Sequence, residues 1–492
     1  MHRNEKPGGN TVTAFLKRQR SRGRLSTVTA GCVAGVLAAG LVGPAQPSAA
    51  TVPPATVSCP ADLATKATCY TGQDSHGAHY AVAIPLAWNG TLVMHAHGGP
   101  GLGAESDPQR STDDLERWSV MVEEGYAWAG SAYRRGGYGT RMAASDTENL
   151  RRLFTERFGR PDTTLIHGQS WGGNVAAKTI EMYGTGADSP YDGALLTNGV
   201  LAGGSRGYDY RVDLRAVYQY YCRNHPRPSE PSYPLWMGLR QDSAMTGAGL
   251  RARLQECTGY ASQPADRTPL QQRNLDDILA VTKIPERTLE SHLSFATFTF
   301  RDIVRRVGLR SPFSNRDVHY RGSHDDAALN AGVERFSADP SARRDLSYDS
   351  DLTGAVTVPV LTMHAIDDPT AFVEHEAAYL DSLKGAHRDR HLVQTYTQES
   401  EHSGLSTAEY ASAVSALSGW VRTGRKPTPA SVASSCPGFD SEYGTGCFFR
   451  PDHQPSSYAS RVNPRAGATQ WPAMPRAQER KWSRLEDVGI AP

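Results

Sequence analysis

Residues 168–172 read Gly-Gln-Ser-Trp-Gly and fit the pattern G-x-S-x-G, which holds a serine on a sharp turn between a strand and a helix. An apolar run at 164–166 leads into the turn, and a helix-like run at 174–183 follows it. The two glycines remove side chains that would collide where the helix passes back over the strand. The pattern predicts that Ser170 is exposed at the carboxyl end of a strand, where its hydroxyl can act as a nucleophile in covalent catalysis.

A second glycine-rich stretch, residues 97–101, reads His-Gly-Gly-Pro-Gly and follows a strand-like run. Together with residues 168–173 it resembles the α/β-hydrolase superfamily over 80–205 and 352–424, and especially its prolyl-aminopeptidase branch. Secreted bacterial esterases of the superfamily look equally similar. The chain departs from the aminopeptidases at 131–138, where it reads Ser-Ala-Tyr-Arg-Arg-Gly-Gly-Tyr in place of their usual Asp-Gln-Arg-Gly. The resemblance implies a fold and a catalytic triad, but not the bond that is cleaved.

A serine nucleophile needs a general base and a third group that orients the base. The superfamily carries these residues in the chain order serine, acid, histidine. An apolar run at 358–363 predicts a buried strand, and Asp367 and Asp368 follow its carboxyl end. We favour Asp368, because Asp-Pro after this strand matches the family pattern, and Asp367 is the alternative. His402, in the loop after the strand predicted at 390–396, is the predicted base.

Two backbone N–H groups are expected to stabilise the oxyanion of a tetrahedral intermediate. In lipases and esterases one belongs to the residue after the nucleophile and the other to the His-Gly-Gly loop, which implies Trp171 together with Gly98 or Gly99. His97 is interpreted as a hydrogen-bonding residue that orients this loop. The pair His95 and His97 has no further ligand cluster beside it in the sequence, so neither a metal nor another cofactor is expected.

Strand-like and helix-like segments alternate over 80–204 and return over 351–424, which favours a doubly wound, mostly parallel α/β sheet. The chain between Ser170 and Asp368 is too long for one or two strand–helix units. Residues 205–350 are therefore predicted to be a mainly helical cap, or lid, inserted in this fold. The aromatic residues of the cap are expected to form either an apolar pocket over Ser170 or the cap's own core.

Two segments flank this predicted core. Residues 51–79 are interpreted as a linker with a small disulfide-closed lead-in, and the Pro-rich residues 425–492 as a partly irregular extension with a disulfide. Without Cys32 in the predicted leader, the chain has six cysteines, an even number that is typical of secreted proteins. Closeness along the chain is the only basis for pairing them, and it favours Cys59 with Cys69, Cys222 with Cys257, and Cys436 with Cys447.

Residues 1–50 have the pattern of a secretory signal peptide, with basic residues between 17 and 24, an apolar stretch over 25–42 and Ser-Ala-Ala at 48–50. A membrane anchor is the alternative, although the stretch is short and weakly apolar for a stable span. Removing the segment leaves 45 basic and 50 acidic residues. A secreted, mildly acidic chain has no basic field for nucleic acid.

The expected activity is that of a secreted serine esterase that forms an acyl-enzyme on a small-molecule ester. The alternative is an aminopeptidase with the same triad, acting on a short peptide. That activity needs carboxylates to bind the substrate's ammonium group, and the candidates in the cap are Glu286, Glu290, Asp276 and Asp277. A non-enzymatic binding protein would normally lack a triad member, and here every member is present in the sequence.

Overall fold

The computed structural model describes residues 52–103, 106–186 and 189–465 of the chain. The predicted signal peptide at 1–50 and the last part of the predicted extension, 466–492, lie outside the described residues. A nine-stranded sheet forms the centre of the described part. Its strands are β1 (Val52–Val57), β2 (Ala67–Gln73), β3 (His79–Pro85), β4 (Thr91–Ala96), β5 (Ala127–Ser131), β6 (Thr163–Gln169), β7 (Gly193–Thr197), β8 (Val360–Ala365) and β9 (Leu392–Thr397).

The sheet has the order β1-β2-β3-β5-β4-β6-β7-β8-β9. Every pair from β5 to β9 is parallel, whereas the pairs that involve β1, β2 and β3 are antiparallel. All residues of β4, β5, β7 and β8 are buried, as expected for parallel strands covered on both faces. Successive residues of a strand point to opposite faces of the sheet. Val93 and Leu165 pack in the core on one face, and Met94 and Ile166 pack in the core on the other. The predicted doubly wound, mostly parallel α/β sheet is confirmed.

Residues 51–79, interpreted as a linker with a lead-in, instead contain two strands of the sheet. β2 pairs with β3 from Ala67 opposite Pro85 to Gln73 opposite His79, and β1 pairs with β2. A single residue of β2 is fully buried, because the strand lies near the sheet edge and only partly contacts the core. It therefore lacks the continuous apolar run by which the inner strands were predicted.

Four helices belong to the first half of the core: α1 (Pro108–Arg117), α2 (Ser119–Glu123), α3 (Thr140–Phe158) and α4 (Trp171–Tyr183). α1 begins at Pro108 because the Asp107 side chain accepts a hydrogen bond from the main-chain N–H of Gln109, and proline suits a first helical position. α1 and α2 follow each other directly between β4 and β5, with Trp118 at the junction.

The predicted cap segment, 205–350, is mainly helical. Its helices are α5 (Asp209–Cys222), α6 (Gly247–Thr258), α7 (Pro269–Thr282), α8 (Leu289–Ser294), α9 (Phe300–Arg306), α10 (Asp326–Gly332) and α11 (Pro340–Ser350). The rings of Tyr218 and Phe300 are fully buried, and Phe300 stacks on Phe313 with 4.3 Å between ring centroids. These three aromatic residues thus contribute to the cap's own core.

The remaining helices are α12 (His375–Gly385), α13 (Thr407–Thr423), α14 (Pro429–Tyr443) and α15 (Tyr458–Arg461). α14 is a regular helix in the segment that was expected to be partly irregular. It begins after Thr428, whose side chain accepts a hydrogen bond from the N–H of Ser431, and Pro429 takes the first helical position. Its many serines and the internal Pro437 hide the apolar periodicity by which helices are predicted.

The end of the described chain connects the cap to the core. Arg465 Nη2 lies 2.6 Å from Asp213 Oδ1 on α5, and its Nε lies 3.5 Å from Asp209 Oδ1. All three side chains are buried. A second contact, between Arg461 and Glu374, lies beside α12 in the core. The extension therefore packs over the cap with a buried ionic cluster.

Three disulfides link cysteines that are neighbours in sequence. They are the pairs expected from proximity, with Cα–Cα distances of 5.2 Å for Cys59–Cys69, 5.4 Å for Cys222–Cys257 and 6.0 Å for Cys436–Cys447. The second joins the ends of α5 and α6 within the cap, and the third closes the turn after α14. Each disulfide stabilises a separate part of the chain.

Candidate active site

Ser170 lies on the turn between β6 and α4, with φ 63° and ψ −129°. This left-handed conformation is costly for a non-glycine residue and is typical of functional sites. The turn also requires small neighbours. A Cβ on Gly168 would lie 2.1 Å from the carbonyl oxygen of Gly172, and a Cβ on Gly172 would lie 2.1 Å from that of Ala96. The strand–turn–helix context predicted for the serine is present.

Asp368, which is buried, and His402, which is partly exposed, form a hydrogen-bonded pair at the same edge of the sheet. His402 Nδ1 lies 2.6 Å from Asp368 Oδ2, and the other carboxylate oxygen accepts the N–H groups of Thr370 and Ala371 at 2.7 and 3.0 Å. His402 Nε2 is buried and has no hydrogen-bond partner among the described residues. By contrast, the Asp367 side chain is exposed and accepts a hydrogen bond from Gln398. Asp368, not Asp367, is the carboxylate that contacts the histidine.

The main chain of His402 is held by the side chains of Gln169 and Asn198, which lie close to Ser170. Gln169 Nε2 and Asn198 Nδ2 donate to the His402 carbonyl oxygen at 2.6 and 2.7 Å. Asn198 Oδ1 also accepts the N–H of Ala365, the last residue of β8. Neither residue was identified from the sequence. The available signal for Asn198 was its place directly after β7, at the edge where α/β proteins collect functional groups.

The His-Gly-Gly loop lies against the serine turn, because β4 and β6 are parallel neighbours with Ala96 opposite Gly168. An ideal Cβ on Gly98 would lie 3.8 Å from Ser170 Cβ, and Gly99 has φ +141°. Trp171 is the first residue of α4, so its N–H is one of those for which a helix supplies no acceptor. The structure thus brings the predicted oxyanion residues close to Ser170.

The loop is oriented by a chain of partly buried polar groups. Arg110 Nη1 donates to His97 Nε2 at 2.6 Å, and His97 Nδ1 bonds to Asp114. His95 Nε2 also lies 3.3 Å from Asp114 Oδ2. Burial lowers the pKa of His97. Burial alone would raise the pKa of Asp114, but the two histidines hold it well below its usual range. His95 and His97 thus share a carboxylate, and Asp114 had no recognisable signal in the sequence.

A second buried histidine lies beneath the loop that carries Asp368. His364 Nδ1 lies 3.2 Å from Glu376 Oε1, and its Nε2 bonds to the carbonyl oxygen of Ala371 at 2.7 Å. Thr362 donates to the other oxygen of Glu376 at 2.6 Å. Burial lowers the pKa of His364, but Glu376 outweighs this effect and raises it above its ordinary value. This polar cluster holds the loop that carries Asp368 from the core side.

A cavity of about 490 Å³ lies in the cap, lined by residues that include Tyr233, Leu239, Met245 and Arg253. Its lining contains no residue of the predicted triad or oxyanion loop. Closer to Ser170, Tyr138 packs on Trp171 with 5.8 Å between centroids, and Tyr208 of the cap packs on Tyr138 at 6.0 Å. The cap therefore reaches the site through aromatic contacts, and the cavity is a separate feature.

The cap carboxylates considered for binding an ammonium group are already engaged. Glu286 pairs with Arg267, and Glu290 pairs with Arg251 at 3.2 Å. The side chains of Glu286 and Glu290 are 44% and 32% exposed, so both lie at the surface. Two further candidates also have partners, since Asp276 accepts from Gln272 and Asp277 pairs with His324. None of them contacts a triad residue in these interactions.

Within the described ranges, no helix combines the length and apolarity needed to cross a membrane. In the same part of the chain, no group of three or more His, Cys, Asp or Glu side chains is arranged to hold a metal ion.

No protein-family model and no curated protein sequence matches the chain. Solved structures with a similar fold include lipase A from Candida antarctica, with 11% identity, a TM-score of 0.39, and coverage of 77% of this chain and 83% of that one. The rice cell wall degrading esterase LipA from Xanthomonas oryzae has 14% identity, a TM-score of 0.36 and coverage of 71% and 92%. Feruloyl esterase B from Aspergillus oryzae has 12% identity, a TM-score of 0.41 and coverage of 73% and 81%. At these TM-scores the likeness supports no conclusion about activity, and the fold is assigned from the chain's own sheet order and connections.

Proposed function

We propose that the chain is a secreted serine hydrolase that cleaves carboxylic esters with Ser170, His402 and Asp368. The observation that carries the proposal is the 2.6 Å contact between His402 Nδ1 and Asp368 Oδ2 at the sheet edge that holds the strained Ser170 turn. A nucleophile, a base and an orienting acid are the three groups that acyl transfer requires.

In the proposed reaction, Ser170 Oγ attacks the ester carbonyl carbon while His402 Nε2 takes the hydroxyl proton. The N–H groups of Trp171 and of Gly98 or Gly99 stabilise the oxyanion. The intermediate collapses, the alcohol leaves with the proton from His402, and an acyl-enzyme remains. Water then attacks this ester with His402 as base, which releases the carboxylic acid and restores the serine. Throughout, Nδ1–H of His402 donates a hydrogen bond to Asp368 Oδ2.

An aminopeptidase with the same triad is the weaker candidate. It needs a carboxylate that is free to bind the ammonium group of the substrate. Glu286 and Glu290 are paired with arginines at the surface, and Asp277 is paired with His324. An ester has no ammonium group to bind, so this arrangement favours ester hydrolysis.

Secretion is part of the proposal. Disulfides persist in oxidising compartments and are rare in the cytosol, and the described chain has three. The predicted signal peptide at 1–50 agrees with this location, although it lies outside the described residues.

The proposal is tested by kinetics on the purified chain without the leader. p-Nitrophenyl acyl esters and aminoacyl-anilides are compared, with Ser170→Ala as control. Ester turnover that depends on Ser170, without anilide turnover, supports the esterase. Turnover of alanyl- or prolyl-anilides would favour the aminopeptidase instead. Ester hydrolysis that survives in Ser170→Ala would contradict the triad altogether.

A further inference from the structure

Side chains of the cap reach the loop that carries the catalytic acid. This acid loop comprises residues 368–371. His292 Nε2 on α8 lies 2.8 Å from the carbonyl oxygen of Pro369, and the Tyr210 hydroxyl on α5 donates to the carbonyl oxygen of Thr370 at 2.8 Å. Both cap residues are buried. The two carbonyls that follow the proposed acid are therefore held by donors from a different part of the fold.

The direction of the His292 hydrogen bonds follows from its other neighbour. Arg211 Nε can only donate, and it lies 3.0 Å from His292 Nδ1. Nδ1 must then be the acceptor, so Nε2 carries the proton and donates to the Pro369 carbonyl oxygen. Burial and the Arg211 charge both lower the pKa of His292 well below its ordinary value, which agrees with a neutral ring.

Arg211 is held mainly by aromatic rings of the cap, and its Nη2 also lies 3.5 Å from the Thr370 carbonyl oxygen of the acid loop. Its guanidinium carbon lies 3.9 Å from the centroid of the Phe295 ring and 5.1 Å from that of Tyr210. Cation–π contact of this kind stabilises a desolvated guanidinium. Arg211 thus has a defined position in the cap core, from which it orients the His292 ring.

From this geometry we propose that His292, oriented by Arg211, is a positioning residue for the catalytic acid. By holding the Pro369 carbonyl, it fixes the turn whose N–H groups, at Thr370 and Ala371, bind Asp368 Oδ1. The other oxygen, Oδ2, is then kept at the His402 ring. A contact from the cap thus contributes to the geometry of the triad. The inference rests on the proposed function, because it concerns the same triad.

The test compares His292→Ala with His292→Gln, which retains an N–H donor at a similar reach from α8. His225→Ala is the matched control. His225 is also a buried histidine of the cap, but its ring bonds only to Thr297 and Tyr233 within the cap. The readouts are kcat, KM, the pH profile of kcat/KM and the melting temperature.

We expect His292→Ala to lower kcat by about 10- to 100-fold, since small displacements of a catalytic group have effects of this size. The acid limb of the kcat/KM profile should move to lower pH, because a displaced carboxylate no longer favours the protonated base. His292→Gln should recover most of the rate. His225→Ala should lower the melting temperature without moving the acid limb. An unmoved acid limb in His292→Ala, or a loss of rate in all three variants that follows their loss of melting temperature, would overturn the inference.

If His292→Ala does not fold, two less disruptive variants test whether hydrogen bonds from the cap to the acid loop affect the rate. Tyr210→Phe removes one hydroxyl that bonds to the acid loop, and Tyr218→Phe removes one on the same helix that bonds to Asn224 within the cap. A lost hydrogen bond of ordinary strength predicts a fall in kcat of about 2- to 10-fold for the first variant alone. Equal kcat values in the two variants would mean that the rate does not depend on hydrogen bonds from the cap to the acid loop. That result would overturn the inference.

The positioning role of His292 can also be tested if the chain proves not to be an esterase. In that case the wild-type chain shows no ester turnover that depends on Ser170. The rate at which a fluorophosphonate labels Ser170 then replaces kcat, because this reaction uses the same base and acid. A His292→Ala variant labelled as fast as the wild-type chain would contradict the positioning role, and slower labelling restored in His292→Gln would support it.

Discussion

Gln169 and His402 are 233 positions apart in the chain, yet Gln169 Nε2 donates a 2.6 Å hydrogen bond to the His402 carbonyl oxygen. Gln169 is the residue before Ser170, so the strand that leads to the proposed nucleophile also fixes the main chain of the proposed base. Asn198 adds a second donor to the same oxygen. The base loop is therefore set from the sheet side by these two amides, while Asp368 contacts the ring.

Gln169→Met tests this contact, because it keeps the length of the side chain and removes the donor. Loss of one hydrogen bond predicts a fall in kcat of about 2- to 10-fold, with little change in KM, since the base is displaced and the substrate is not. Gln398→Met, which loses an exposed bond to Asp367, is the matched control. Equal kcat values for the two variants would show that the base loop does not need the amide.

The choice between the two adjacent aspartates leads to a second prediction. Asp368→Asn should lower kcat on the order of 10⁴-fold, because the amide cannot hold the histidine in the productive tautomer. Asp367→Asn should leave kcat almost unchanged, since the Asp367 side chain is exposed and bonds only to Gln398. Steady-state ester kinetics on the two variants measure this difference. A large effect of Asp367→Asn would reverse the assignment of the acid.

The buried carboxyl of Glu409 should make the free energy of unfolding depend on pH. The side chain is fully buried in the capping turn of α13 and accepts the N–H groups of Ser406 and Phe448, and burial raises its pKa to about 7. The folded chain then binds this proton more tightly than the unfolded chain, whose carboxyl has the ordinary pKa of 4.5. The free energy of unfolding should therefore fall as pH rises through this interval and level off above about pH 7.

Urea unfolding at pH 5 and pH 7.5 measures this contribution. The Glu409 carboxyl should account for a loss of about 1–3 kcal/mol between the two values in the wild-type chain. Glu409→Gln should lack that part of the dependence, although it is less stable at both values because its amide group must face one of the two N–H donors. The same pH dependence in both proteins would contradict the assignment.

The buried contacts of Arg465 indicate how strongly the extension stabilises the cap. Arg465→Ala leaves Asp213 and Asp209 buried without their cation, and breaking such a pair costs about 3–5 kcal/mol in the free energy of unfolding. The exposed Arg450→Ala should change it by no more than about 0.5 kcal/mol. Urea denaturation of both variants gives the comparison. A near-neutral Arg465→Ala would mean that the extension adds nothing to the stability of the cap.

Much of the core was predictable because its signals are local. The serine turn needs glycines within two residues of Ser170, and an apolar strand precedes each of Asp368 and His402. Such patterns depend only on backbone conformation and on which residues face the core. The strands β1 and β2 and the helix α14 were not predicted, because partly buried or serine-rich elements lack that periodicity.

The sequence alone therefore determined the order of the proposed triad, the presence of an inserted helical segment and the positions of the central strands. Only the tertiary structure decided which aspartate meets His402, and that Gln169, Asn198 and Asp114 support the site. It also decided that His292 of the cap holds the acid loop. Hydrogen bonds between residues far apart in the chain depend on how strands and helices pack, and no local pattern of residue types encodes that packing.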